Sequence, residues 1–191
     1  MTNNYSKQYP RLLKVAKELE KEIGKYFEKK HYVDQIKVRV KSVQSFSQKA
    51  RRKVHRRLKY HNALKEIEDQ IGIRIVVRYK TNVPEARKIL QRYYCATENL
   101  RRENSSPHHF GYEGHVLVLP LPQKIQQRHK IEIEFFEVQI CTLFQHAWAE
   151  AEHDIGYKPE NRKPTKTERK KLAWLAASAW GADELFKELR R

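Results

Sequence analysis

Three segments with alternating apolar and charged residues constrain the fold of this chain most. Residues 35–42 read QIKVRVKS, residues 72–79 read GIRIVVRY and residues 130–140 read KIEIEFFEVQI. Successive side chains of a β-strand point to opposite faces, so each segment predicts a strand with one apolar face. The apolar faces pack against the rest of the chain, and the charged faces have to meet solvent or a ligand.

The third of these segments changes its register. Its apolar residues occupy odd-numbered positions over 131–135 and even-numbered positions thereafter. Two explanations are open: a β-bulge at Phe135 and Phe136, or a strand buried on both faces except at Glu137 and Gln139. Both explanations point one carboxylate, that of Glu137, out of an apolar neighbourhood.

Helices and one more strand are predicted around these segments. Helical spacing and capping signals predict helices over residues 11–30, 46–64, 84–98, 142–156 and 172–189. A further strand is predicted over 115–122, after a long loop at 96–114. The order α-β-α-β-α-β-β-α-α lacks a regular βαβ repeat, which predicts an α+β fold with a mixed β-sheet flanked by helices.

Length and composition bound the domain organisation. The chain has 191 residues, of which 39% are hydrophobic, and this is enough for one packed core. We therefore expect a single domain over 1–191, with its core at about 11–158 and a C-terminal helical part at 165–190. No stretch is long and apolar enough to span a bilayer, and the charged start lacks the apolar region of a signal peptide. We therefore expect a cytoplasmic protein without a membrane partner.

Positive charge is the strongest compositional signal. Forty Lys and Arg residues against 23 Asp and Glu give a net charge of +17. This excess points to polyanionic partners, because clustered cations attract phosphates, although a well-solvated basic surface explains it equally. Ser45 followed by Gln48 predicts a capping box at the start of the helix over 46–64, and six of the ten residues at 51–60 are Lys or Arg. This helix and the basic segment 158–171 suit an RNA backbone.

Two carboxylates lie near strand ends among cations. Asp69 precedes the second strand, Glu137 lies in the third, and Arg or Lys residues surround both. Mg²⁺ binds one or two protein carboxylates and completes its coordination with water and substrate phosphates, so the pattern fits a magnesium site. Ordinary ion pairing at a sheet edge is the other explanation. A zinc site at His146, Glu150 and His153 is a weaker alternative, since their spacing is not H-E-x-x-H.

Four stretches resemble, in order, the synthetase domain of the RelA/SpoT family. RVKSVQSFSQK at 39–49 resembles R-x-K-S-x-x-S-hydrophobic-x-x-K, DQIGIR at 69–74 resembles D-x-x-G-x-R, and FGYEGH at 110–115 resembles G-Y-x-x-x-H. The stretch at 137–158 resembles E-[VI]-Q-[IV]-R-T followed by A-W-A-x-x-E-H-x-x-x-Y-K, which is highly specific. The resemblance extends over about residues 11–185.

The resemblance implies a nucleotidyltransferase-like fold and one reaction. Such enzymes transfer the β,γ-pyrophosphate of ATP to the 3′-hydroxyl of GDP or GTP with Mg²⁺, which gives the alarmone (p)ppGpp and AMP. At this length the chain resembles the small stand-alone synthetases. Some small members are toxins that pyrophosphorylate the 3′ end of tRNA, and a basic RNA-binding module without activity is the non-enzyme alternative. A homo-oligomer or a neutralising antitoxin is compatible with the resemblance.

The resemblance also implies an ATP site in the first third of the chain. Arg39 would border the adenine, and Lys41 and Lys49 would hold the phosphates. Ser45 would lie beside the phosphates at the start of a helix, where free N–H groups favour anions.

Three further residues would carry the chemistry. Asp69 and Glu137 would bind Mg²⁺, and Glu137 would also accept the proton of the attacking hydroxyl. Arg74 would neutralise charge that develops on the transferred group.

The implied acceptor site departs from the family pattern. Tyr112 would stack on the base, Gln139 would orient Glu137 or the ribose, and His115 or His153 would complete the pocket wall. Two residues separate Tyr112 from His115 where the family has three, which predicts either a bulge or a His115 turned to the other strand face. Cys141 stands where the family has Arg, and the family's Pro-Lys element before G-Y is absent.

Overall fold

A computed structural model describes residues 2–95, 98–102, 114–157 and 164–190. Seven α-helices and seven strands occur in these ranges. The helices are α1 (Thr2–Phe27), α2 (Val43–Ala50), α3 (Ala63–Glu66), α4 (Val83–Tyr93), α5 (Gln123–His129), α6 (Leu143–Glu152) and α7 (Lys166–Leu189). The strands are β1 (Val33–Val40), β2 (Lys53–Val54), β3 (Arg57–Leu58), β4 (Ile71–Val77), β5 (Glu98–Arg102), β6 (Gly114–Pro120) and β7 (Phe135–Thr142).

The main sheet has five strands in the order β1-β4-β7-β6-β5. Only the central pair, β4 and β7, is parallel, and the other neighbouring pairs are antiparallel. The two remaining strands, β2 and β3, form a separate hairpin. The predicted α+β class with a mixed sheet is therefore confirmed.

One face of the sheet forms the hydrophobic core with α1 and α4. The isoleucines of β4 and the even-numbered residues of β7 are buried there, together with the apolar stripe of α1. The core residues of these elements include Leu12, Val15, Leu19, Ile23, Ile71, Ile73, Ile75, Phe136, Val138 and Ile140. Helix α6 lies over part of the opposite face, and α7 packs on α6. The intervening polar positions of β1, β4 and β7 face this second layer.

Helix α1 begins earlier than predicted. It starts at Thr2 instead of residue 11 and continues through Pro10 to Phe27. The extra turns are anchored by Tyr5, which is fully buried and stacks on Phe46 of α2 with 3.9 Å between ring centroids. The Tyr5 hydroxyl also donates a 2.6 Å hydrogen bond to the carbonyl oxygen of Lys41.

The prediction of one helix over 46–64 is wrong. Helix α2 ends at Ala50, and its N-cap is Ser42, whose Oγ accepts a 3.1 Å hydrogen bond from the Ser45 N–H. Residues 51–59 are all exposed, so a helix there would have no apolar face to pack. The chain instead turns through His55 and Arg56, with φ of 48° and 66°, to form the β2–β3 hairpin.

The register change at 131–140 has a simple structural cause. Strand β7 begins only at Phe135, and its pairing with β6 continues without a bulge from Phe135 to Ile140. Ile131 and Ile133 are buried in the segment that leads into the strand. Neither of the two explanations is correct: the pairing has no bulge, and the strand is buried on both faces only from Cys141.

The remaining boundaries also differ from the predictions. Helix α4 ends at Tyr93, and neither β5 nor α5 was predicted. Helix α7 begins at Lys166, where Thr165 and Glu168 form a reciprocal capping box, so it starts six residues before the predicted residue 172. The part of the chain that the structure describes contains no helix long and apolar enough to cross a membrane.

Candidate active site

A cleft of about 770 Å³ lies on the polar side of the sheet. Its floor is formed by β1, β4 and β7, and its wall by α6 and the helical turn that follows it. The residues that line it include Lys37, Arg39, Asp69, Gly72, Arg74, Glu137, Gln139, Trp148, Glu150, His153 and Asp154. The cleft thus gathers side chains from distant parts of the sequence.

Strand register explains why these side chains share one face. Gly72 pairs with Glu137 and Arg74 pairs with Gln139 in the parallel β4–β7 ladder. On the other side, Arg39 pairs with Gly72. Paired residues of neighbouring strands point to the same face, so the alternation read from the sequence places cations and carboxylates in adjacent rows.

Asp69 is held between two lysines. It lies in the 3₁₀ turn before β4, and its carboxylate oxygens are 2.9 Å from the Nζ atoms of Lys41 and Lys49. Burial would raise the pKa of Asp69, but hydrogen bonds and charges of the two lysines outweigh it and hold this pKa below its usual value. The structure therefore brings together a predicted metal ligand and two predicted phosphate ligands.

Glu137 and Arg74 are connected through Gln139. The Gln139 amide donates a 2.6 Å hydrogen bond to Oε1 of Glu137 and accepts one of 3.4 Å from Arg74. The contacts define which way the amide points, because its nitrogen must face the carboxylate and its oxygen the guanidinium. Gln139 therefore lies in contact with both the Glu137 carboxylate and the Arg74 guanidinium.

Arg74 also binds helix α6. Its Nη1 is 2.6 Å from Oε1 of Glu150 and 3.2 Å from Nδ1 of His146. Burial first and the charge of Arg74 second lower the pKa of His146. Burial would raise the pKa of Glu150, but the charges around it, that of Arg74 first, and the Arg74 hydrogen bond together lower it. Among the described residues, no cluster of three or more His, Cys, Asp or Glu side chains could hold a metal, so the zinc alternative gains no support.

The other predicted residues occupy different places. Arg39 and His153 line the cleft. Ser45 is exposed in the first turn of α2, where it accepts a hydrogen bond from Ser42 Oγ over 2.9 Å. His115 pairs with Ile140, which faces the core, and lines a second cavity instead of the cleft. The shortened spacing thus turns His115 to the other face without a bulge in the ladder, and Tyr112 lies outside the described residues.

Sequence reasoning missed several residues of the cleft, Lys37 and Glu150 among them. Lys37 lies on the cationic face of β1, two positions before Arg39, and the alternation of QIKVRVKS was a signal that would have found it. Glu150 was considered only as a zinc ligand, although its position in α6 lets it pair with Arg74.

The fold and the cleft define a class of protein: an α+β domain whose mixed sheet presents two carboxylates and several cations in one cleft. Cations bind phosphates directly, and carboxylates bind them through a metal ion. Residues 38–162 match the profile described as a region found in RelA / SpoT proteins. This match covers more than half of the chain, so the chain belongs to the RelA/SpoT family.

Individual relatives agree with this assignment. The chain is 29% identical over 155 residues to the GTP pyrophosphokinase YjbM of Bacillus subtilis, covering 80% of this chain and 69% of that protein. The crystal structure of small alarmone synthetase 1 from Bacillus subtilis superimposes with a TM-score of 0.78 at 24% identity over 98% of this chain and 96% of that one. The structure of that synthetase bound to its product pppGpp gives a TM-score of 0.74 at 25% identity over 98% and 97%.

Proposed function

We propose that this protein is a pyrophosphokinase that transfers the β,γ-pyrophosphate of ATP to the 3′-hydroxyl of GDP or GTP. The observation that carries the proposal is the convergence of Asp69 and Glu137, 68 positions apart in the sequence, on one cleft walled by cations. The family membership and the product pppGpp named for a relative support this reaction. The comparisons give no support to tRNA as the acceptor.

The donor triphosphate is assigned to the β1–α2 side of the cleft. Lys41 and Lys49 each direct an ammonium group at Asp69, and Arg39 lies on β1, two residues before Lys41. Cations at these positions suit the phosphates of ATP, since pyrophosphoryl transfer depends on placement and charge neutralisation more than on covalent catalysis. We assign the adenine to the neighbourhood of Arg39.

The carboxylates fit a magnesium ion. Asp69 and Glu137 face one cleft, and Mg²⁺ requires no more than one or two protein carboxylates when substrate phosphates complete its coordination. When bound, the ion would neutralise phosphate charge and help to align the two substrates. Lys41 and Lys49 would then exchange part of their contact with Asp69 for the phosphate oxygens.

Glu137 is assigned as the general base. The 3′-oxygen of the acceptor attacks the β-phosphorus of ATP, the bond from that phosphorus to the α,β-bridging oxygen breaks, and AMP leaves. The proton of the hydroxyl passes to the Glu137 carboxylate, which Gln139 holds in place over 2.6 Å. Arg74, in contact with Gln139, supplies positive charge for the transferred group. Tyr112 and His153 remain our assignments for the acceptor site, and His115, which lines the second cavity, is not among them.

A direct test uses Glu137→Gln with Glu134→Gln as the matched control. Glu134 lies just before β7, its side chain is about half exposed, and its carboxylate is 3.8 Å from the Lys65 ammonium. With γ-labelled ATP and Mg²⁺, we expect wild type and Glu134→Gln to label GDP and GTP, and Glu137→Gln to lose at least about 100-fold in kcat, the range for a positioned base.

The same assay separates the alternative functions. Label on deacylated tRNA and not on the free nucleotides would overturn the choice of acceptor. If the folded protein labels no acceptor, the proposed activity is wrong and the RNA-binding module is the remaining function. Wild-type turnover in Glu137→Gln would refute the assignment of the base.

A further inference from the structure

A second cavity lies at the other end of the parallel strand pair. It has a volume of about 410 Å³ and is enclosed by the carboxyl end of β7 and the first turns of α4 and α6, together with the second half of α7. The cleft, in contrast, lies toward the amino ends of β4 and β7, where Gly72 and Glu137 are found. In open sheets, ligands commonly bind at the carboxyl ends of parallel strands.

Three cations from separate elements line this second cavity. They are Lys80, in the turn after β4, Arg87 of α4 and Lys187 of α7. Glu184 lies within 2.6 Å of the Lys80 ammonium and 3.1 Å of the Lys187 ammonium, so one carboxylate is shared by two lysines. Lysine ammonium groups bind phosphates as point charges.

Arg87 differs from the two lysines. Its Nε is buried and finds no hydrogen-bond acceptor among the described residues. A buried N–H without a partner is costly, and in native proteins such a group usually has a bound water, ion or ligand as its acceptor. A guanidinium prefers oxyanions that accept from two of its donors at once, above all carboxylates and phosphates.

The other groups of the cavity fit an organic phosphate. The Asp183 carboxylate accepts a 2.7 Å hydrogen bond from the Thr142 hydroxyl. The three cations of this cavity outnumber its two nearby carboxylates, those of Asp183 and Glu184. Val83, Pro84 and Ile140 supply an apolar wall. The volume exceeds what a single inorganic phosphate needs and falls within the usual range for small-molecule sites.

We propose that this second cavity binds a small phosphate-bearing molecule, with its phosphate on Arg87 and the two lysines and its organic part against the apolar wall. The site is additional to the proposed catalytic cleft and does not depend on the proposed reaction.

The test is a titration of the ¹⁵N-labelled protein followed by amide chemical shifts. The probes are sodium pyrophosphate and GMP, with sodium chloride at matched ionic strength as the blank. Because both probes also enter a cationic cleft, the readout is residue-specific: amides of Ala86 and Gln145 report on the second cavity, and amides of Gly72 and Glu137 report on the cleft. We expect saturable shifts at the cavity amides with at least one probe.

Matched variants locate the binding group. Arg87→Gln should raise the midpoint at the cavity amides by at least about tenfold, as expected for loss of a charge-assisted contact. It should leave the midpoint at the cleft amides unchanged. Lys88→Gln removes the same charge from the same helix at an exposed position outside the cavity and should behave as wild type. Lys187→Gln, on α7, is a second variant should Arg87→Gln fail to fold.

Two results would overturn the proposal. The first is cavity amides that do not shift with either probe beyond the sodium chloride blank. The second is the same midpoint in wild type, Arg87→Gln and Lys187→Gln. Pyrophosphokinase activity is measured separately, so failure of this site and failure of the proposed reaction are distinguishable.

Discussion

Asp183 should make the protein less stable as the pH rises through the weakly acidic range. Its side chain is 3% exposed, and its main hydrogen bond comes from the Thr142 hydroxyl at 2.7 Å. Burial raises the pKa of this carboxyl from 3.8 to about 6, even though Thr142 and Lys80 act in the opposite direction. Between these two values the folded chain keeps a proton that the unfolded chain releases, so the free energy of unfolding falls as pH increases.

The size of the effect follows from that difference in pKa. Each pKa unit corresponds to about 1.36 kcal/mol, so the full penalty of the ionised Asp183 is about 3 kcal/mol, of which about 2 kcal/mol develops between pH 4.5 and 7.5. Asp183→Asn cannot ionise, and its amide oxygen can still accept from Thr142. The difference in free energy of unfolding between the variant and wild type should therefore change by about 2 kcal/mol in favour of the variant from pH 4.5 to pH 7.5.

Urea unfolding of both proteins at pH 4.5, 5.5, 6.5 and 7.5 measures this difference and cancels the titration of all other groups. Glu188→Gln, an exposed change on the same helix, should run parallel to wild type. A difference between Asp183→Asn and wild type that stays constant with pH would refute the reasoning, because it would mean that Asp183 is already ionised at pH 4.5 in the folded protein.

Three further outcomes are expected. Leu19→Ala, at a fully buried position, should lower the free energy of unfolding by about 2–5 kcal/mol, while Leu13→Ala, 44% exposed, should change it by less than about 0.5 kcal/mol in urea unfolding. Ser42→Ala should cost about 1 kcal/mol by the same measurement and Ser45→Ala clearly less, because Ser42 is the observed cap; equal costs would contradict this. Asp69→Asn should abolish turnover. It should also make the free energy of unfolding less dependent on pH on the acid side, because the lowered pKa of Asp69 stabilises the folded protein at pH values above the pKa of this group in the unfolded chain, and this stabilisation is lost as the pH falls.

The sequence predicted best those parts of the fold in which apolar and polar residues alternate strictly. The alternation around Ile36, Ile73 and Val138 located the three strands that carry the cleft, because burial on one face enforces that pattern. The same period placed Glu137 on the polar face. Asp69 lies in a 3₁₀ turn, where there is no period to read, and it was found from its place before a predicted strand among cations and from the D-x-x-G-x-R motif.

The errors have physical causes that a single sequence hides. Ser42 and Ser45 both precede plausible helix starts, and only the backbone shows that Ser42 accepts the capping hydrogen bond. The cations at 51–60 have good helix propensity, but propensity without an apolar face does not maintain a helix. The face on which His115 lies depends on strand pairing with Ile140, and this is a long-range property.

The contact of Tyr5 with Lys41 and Phe46 has a practical consequence for protein engineering. The first turns of α1 brace the junction between β1 and α2. A protein trimmed to begin at residue 11 would keep all the proposed catalytic side chains but lose the ring that stacks on Phe46 and the hydroxyl that bonds the Lys41 backbone.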